Sequence, residues 1–124
     1  MDANTLYKVR NTTIEMLIDR GYSMEENVNY DEFKVMYEQN NMEFTDKNKS
    51  IHVFFYNDLK TFTKKDLELY TTAIREKYET PIKILLIVRD KYNAMVDTEL
   101  AKADYKDVEI FLAPTLIINI TKRQ

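Results

Sequence analysis

The 124 residues include no cysteine, which excludes disulfides, thiolate-ligated zinc and thiol nucleophiles and gives no sign of an oxidising compartment. An intracellular protein is the expectation. With one glycine and two prolines, the chain lacks a phosphate-cradling glycine loop of either standard type. Nucleotide-binding enzymes built on such loops drop out. His52 is the sole histidine, so neither a His-pair metal site nor a His-centred dyad can be assembled; a strand histidine with its hydrogen bonds satisfied is expected. Ser23 and Ser50 have no context that would activate a hydroxyl. The longest strongly apolar run, Ile84 to Val88, is far too short to span a bilayer, and the N-terminal stretch lacks the basic-then-apolar layout of a secretory signal. A net charge of −3 argues against a generally electropositive surface while leaving room for a local basic patch.

What remains is a soluble globular composition, 44% hydrophobic and 31% charged, in a chain long enough for one compact domain with an ordinary core. Apolar residues Leu6, Val9, Met16 and Leu17, widened by Ile14 and Ile18, recur at helical spacing and predict a first helix. It should stop at Gly21, with Arg20 in the last turn. Asn29 as cap, Glu32 three residues on and Val28 stapled onto Phe33 start a second helix, roughly Tyr30 to Gln39. The polar stretch "NNMEFTDKNKS" reads as a loop or hairpin arm. In "SIHVFFYN", Ile51, Val53 and Phe55 alternate with His52, Phe54 and Tyr56, predicting a strand covered on both faces.

Thr63, Asp66 and the Phe62–Leu67 staple open a third helix that should end near Glu79. The continuous apolar run in "IKILLIVR" predicts a strand buried on both faces of a sheet. A short helix from Ala94 to Asp104, a strand at "VEIFL" and, after the break at Pro114, a strand at "LIINI" complete the reading. Helices alternating with strands favour an α/β domain with a largely parallel central sheet and right-handed crossovers. No internal repeat or linker divides it.

For chemistry, Asp58-Leu59-Lys60 has the acid-x-Lys spacing with which restriction-endonuclease-type enzymes hold Mg²⁺ and polarise water. The motif lies past the strand rather than within it, and a convincing upstream Asp is missing, since Asp46 sits in a polar loop with no structural reason to converge, so a solvated turn is the simpler expectation. The basic residues are scattered: Lys60, Lys64 and Lys65 surround the start of the third helix, and Arg89 and Lys91, with Tyr92, follow the buried strand. The second group is the stronger candidate, because ligands approach an open α/β sheet at the carboxyl ends of its strands. The aromatic residues read as core rather than as a base-stacking platform.

Four stretches, "LYKVRNTTIEMLIDRGY" (Leu6 to Tyr22), "YDEFKVMY" (Tyr30 to Tyr37), "HVFFYNDLK" (His52 to Lys60) and "LIINIT" (Leu116 to Thr121), run in family order. On these the chain resembles the N-terminal, or jaw, domain of the fifth subunit shared by eukaryotic-type nuclear RNA polymerases, including forms carried by large DNA viruses. The resemblance implies a restriction-endonuclease-like three-layer fold without a nuclease centre. It also implies a non-catalytic role near downstream DNA and a surface for transcription regulators. The partners implied are the largest polymerase subunit, other subunits, downstream duplex DNA bound weakly and without sequence preference, and regulators, with no cofactor and no membrane. The location implied is the nucleus, or a viral factory and virion.

Two departures from the family pattern stand out. Where typical members have a Thr-Pro-Ser-Ala loop associated with DNA, this chain has Arg89-Asp90-Lys91-Tyr92-Asn93, so the DNA-binding candidates are Arg89, Lys91, Tyr92 and Asn93, with Arg89 and Lys91 acting as point charges on phosphates. Members also continue past Asn-Ile-Thr into a second domain that docks on the polymerase. The expectation here is one jaw domain over residues 1–124 without that docking domain. The competing readings are a Mg²⁺-dependent nuclease and a stand-alone adaptor that mimics the subunit.

Overall fold

The computed structural model describes residues 2–24, 28–40, 42–58 and 60–116. Helix α1 spans Ala3–Asp19, beginning earlier than the apolar stripe predicts because Asp2 caps it by accepting from the Thr5 N–H at 2.8 Å. It ends as expected. Gly21 takes φ 97°, its N–H reaches the Ile18 carbonyl, and the Tyr22 N–H reaches the Leu17 carbonyl, both at 3.0 Å. This is the paired-bond helix stop that needs a left-handed residue. Arg20, expected in the last turn, is instead the capping residue beyond it, and its guanidinium crosses to Glu109 with bonds of 2.9 and 3.3 Å.

Helix α2 covers Tyr30–Glu38, with the Asn29 side chain accepting from the Glu32 N–H. Strand β1 is only Phe44–Thr45, and β2 is Ile51–Tyr56; the polar stretch before β2 is a hairpin arm. Helix α3, Lys64–Glu76, starts with a complete reciprocal box between Thr63 and Asp66. It closes short of Glu79, and the Tyr78 ring turns to His52.

Strand β3 is Lys83–Val88, α4 is Ala94–Leu100, a 3₁₀ turn follows at Ala103–Tyr105, and β4 is Val108–Leu112. The expected helix from Ala94 to Asp104 is therefore broken. Leu100 and Tyr105 both pack on the same core, and a spacing of five residues cannot keep both on one face of an unbroken helix. The expected last strand is corrected at its first residue. Residues 113–116 are helical, Ala113 and Leu116 are both buried at i,i+3 spacing, and Pro114 is tolerated in a first helical turn. The rest of "LIINI" lies outside the described residues.

The sheet order is β1-β2-β3-β4, with β1 antiparallel to β2 and the other pairs parallel. Alternation splits the core in two. Ile51, Val53, Phe55, Leu85 and Ile87 pack with Leu6, Val9 and Leu17 of α1 and Phe33 of α2. Ile84, Leu86, Val88 and Val108 pack on the other face with Leu67 and Ile74 of α3 and Val96 of α4. Both crossover helices thus lie on one face, which requires the two crossovers to share a hand. The result is a mixed α/β domain in three layers with a mostly parallel four-stranded sheet.

Leu85, with no exposure at the centre of this arrangement, tests the packing. Leu85→Ala is expected to cost about 2–5 kcal/mol. Leu69→Ala, at a side chain 62% exposed on α3, should stay within about 0.5 kcal/mol. Urea denaturation of the two variants checks the contrast.

Candidate nucleic-acid interface

Strands β2 and β3 are matched residue for residue and end together, Tyr56 beside Val88. The ladder continues one step, the Arg89 N–H donating to the Tyr56 carbonyl at 3.0 Å. The loops then rejoin in a parallel bridge between Phe62 and Tyr92: the Phe62 N–H donates to the Lys91 carbonyl at 3.4 Å and the Asn93 N–H to the Phe62 carbonyl at 2.8 Å. Phe62 is fully buried. It therefore anchors both loops on the core, and the two segments form one rim at the carboxyl ends of the strands.

The four candidate residues divide by role. The Tyr92 hydroxyl donates to Asp97 Oδ1 at 3.0 Å, and that bond, followed by burial, pushes its pKa up. The Asn93 side-chain oxygen caps α4 by accepting from the Met95 N–H at 2.9 Å. Both hold the loop in shape. Arg89, half-buried, and Lys91, exposed, are the cations, with the exposed Asp90 between them.

In the neighbouring basic group, Lys60 and Lys65 are exposed, whereas Lys64 is paired with Glu99 at 3.3 Å. Glu99 is buried and also takes Lys102 at 2.7 Å; the Lys102 bond is the main cause of its lowered pKa. Sequence reasoning missed this acid, although its i,i+3 spacing to Lys102 is a readable signal.

The nuclease candidates do not converge. Asp58 Oδ1 accepts from the Lys60 N–H at 3.1 Å, a local turn with both residues exposed; Leu59 lies outside the described residues. Asp46 is buried and accepts from the Ser50 N–H at 2.7 Å, the Ile51 N–H at 3.1 Å and the Ser50 hydroxyl. Burial alone would raise its pKa, but these donors outweigh burial and hold it below the usual carboxylate value. Its carboxylate serves the turn into β2, and the Ser50 hydroxyl is committed to it. Among the described residues no three His, Asp or Glu side chains gather where they could share a metal ion.

His52 is buried in β2 with Nε2 2.7 Å from Glu43 and Nδ1 2.7 Å from the Tyr78 hydroxyl, the satisfied strand histidine expected. Glu43 also takes Lys77 at 3.2 Å. This second acid was missed as well, and its link to His52 across the hairpin has no spacing signature.

The family model for RNA polymerase Rpb5, N-terminal domain, matches residues 1–74. The chain belongs to that family. The match runs through α1, α2, β1, β2 and α3 as far as Ile74, and includes three of the four stretches on which the resemblance was drawn. The 89–93 loop lies beyond it. No curated protein matches the chain. Membership carries a role in transcription as a non-catalytic subunit of an RNA polymerase, with the other polymerase subunits as partners. No helix among the described residues is long and apolar enough to cross a membrane.

The Glu43 pKa lies below its ordinary 4.5, chiefly because of the bond with His52. A depressed acid contributes stability that is complete above its unfolded value and is lost as pH falls through the folded one. Glu43→Gln is therefore expected to be less stable than the parent near neutrality, with the gap closing below pH 4.5. Denaturation curves across that range measure it; a gap independent of pH would contradict the assignment.

Proposed function

We propose that this domain is a polymerase jaw, a single restriction-endonuclease-like unit without a nuclease centre, acting in the nucleus or a viral factory beside downstream duplex DNA. The observation that carries the reading is the rim built by the Phe62–Tyr92 bridge. It sets Arg89 and Lys91 next to the segment bearing Lys60 and Lys65, on the side of a parallel sheet where ligands approach. These cations suit phosphates as point charges with no base readout. Tyr92 and Asn93 act by holding the loop. The largest polymerase subunit is the expected neighbour within the enzyme, and the outer helix faces offer a surface to regulators.

With few phosphates in reach and a net charge of −3, binding to duplex DNA should be weak and steeply salt-dependent. Arg89→Ala with Lys91→Ala should weaken it evenly across unrelated sequences. The log–log salt slope should become shallower by about 0.9 for each phosphate that the variant no longer neutralises. Fluorescence anisotropy on labelled duplexes across a KCl series measures both. Binding that is tight and insensitive to salt, or unchanged in the double variant, would overturn the assignment. Affinity capture of the tagged chain should recover the largest polymerase subunit, as a subunit role requires and a free-standing nuclease does not.

A further inference from the structure

Helix α3 turns Leu67, Thr71 and Ile74 into the core, and its opposite face stands in solvent. Lys65, Leu69, Thr72 and Glu76 follow one another there at steps of four, three and four residues, all exposed. That is the spacing of a seam along one side of a helix. Leu69, 62% exposed, is the most exposed large hydrophobic side chain among the described residues. With Glu68 and Ala73, the four residues line a shallow cavity of about 670 Å³.

The charges on this helix divide by direction. Lys64 and Arg75 are engaged within the domain, with Glu99 at 3.3 Å and with the Asp104 carbonyl at 2.6 Å. Lys65 and Glu76 instead lie at opposite ends of the outer seam, about 16 Å apart along the axis. A seam with a cation at one end and an anion at the other is complementary to itself when reversed. Laid antiparallel on a second copy about a two-fold axis, Lys65 comes opposite Glu76 of that copy and Glu76 opposite its Lys65. In the same register Leu69 comes opposite Thr72, with the small Ala73 beside it. A parallel arrangement would set Lys65 on Lys65 and Glu76 on Glu76, and like charges repel.

We propose that the outer face of α3 pairs antiparallel with the same face of a second copy of this chain, through Leu69 and two Lys65–Glu76 ion pairs. Such a contact is isologous, so one self-complementary face is enough to close it. Its size sets its strength. One face of a 13-residue helix falls short of the ~800 Å² that each partner contributes to a stable interface, and exposed ion pairs add little each. The dimer is therefore weak, with a Kd on the order of 0.1–1 mM, and comes apart at micromolar concentration. Lys65 is the one residue shared with the basic rim, and the test is made without DNA, so the inference does not depend on the DNA reading.

The test is a dilution series of the ¹⁵N-labelled full chain, from about 1 mM to about 0.02 mM, followed by amide shifts and translational diffusion. Shifts from Lys65 to Glu76 are expected to move with concentration and to fit a monomer–dimer equilibrium. Lys65→Glu and Glu76→Lys each turn both ion pairs into like-charge pairs and should weaken association about tenfold. Each also places its new charge where the helix dipole favours it, so a lost dimer does not reflect a damaged helix. An equimolar mixture of the two variants restores both opposite-charge pairs between unlike copies and should associate as the parent does. Concentration-independent shifts in the parent, undiminished association in either variant, or a mixture no tighter than its components would each overturn the proposal.

Discussion

The parallel ladder between β2 and β3 constrains everything else in the domain. Because Ile51 to Tyr56 and Lys83 to Val88 are matched without slippage, their side chains alternate in phase, and a shift of one residue would exchange the faces of the whole strand. The odd positions of both strands meet α1 and α2; the even positions of β3 meet α3 and α4. Neither helix layer could be exchanged for the other without burying His52 and its acid partner against the wrong cover. The matched register also makes the strands end together, so the loops that follow are neighbours and can be bridged at Phe62 and Tyr92.

Much of this was legible in the sequence because it is local. The Gly21 stop, the Thr63–Asp66 box and the two-sided apolarity of "ILLIV" each depend on a few adjacent residues, and each is realised. What was not legible depends on partners remote in sequence. Arg20 reads as a charge for the helix dipole, yet it reaches Glu109, 89 residues away. Glu43 finds His52 only because the hairpin closes. The helix after Asn93 looks continuous until Leu100 and Tyr105 must both face one core. Leu116 has strand-like neighbours in sequence, but with Ala113 it fills a helical contact under Pro114. Of the candidate site, the position of the loop was readable from topology. The internal duties of Tyr92 and Asn93 were not, since they depend on how α4 begins.

Among the described residues the acids do not gather to hold a metal ion, for a related reason. Asp66 reads as a cap from the sequence, whereas Asp46, Asp58 and Glu99 show no such duty there, yet each of the four carboxylates holds backbone or a lysine: a turn before β2, a turn after it, a helix cap and a pair with Lys102. At Asp46 and Glu99 the donors outweigh desolvation and hold the carboxylates below their usual values. A metal site would have to recover them from roles on which the turns and caps depend. The family's non-catalytic role is in keeping with this distribution of charge.

What is left over is informative because the molecule has so little excess charge. With a net −3, attraction for any charged partner must come from local arrangement, and screening at physiological salt limits that reach to about 8 Å. Sign therefore has to be read one strand at a time. At the carboxyl end of β2 the two sides differ. Toward β3, Arg89 and Lys91 follow the ladder, and Asp90 is the only acid in the loop; toward β1, Glu43 and Asp58 flank an aromatic cleft that has no lysine or arginine in its described lining. A single strand end thus separates a loop that carries two cations from a cleft lined by carboxylates and aromatic rings.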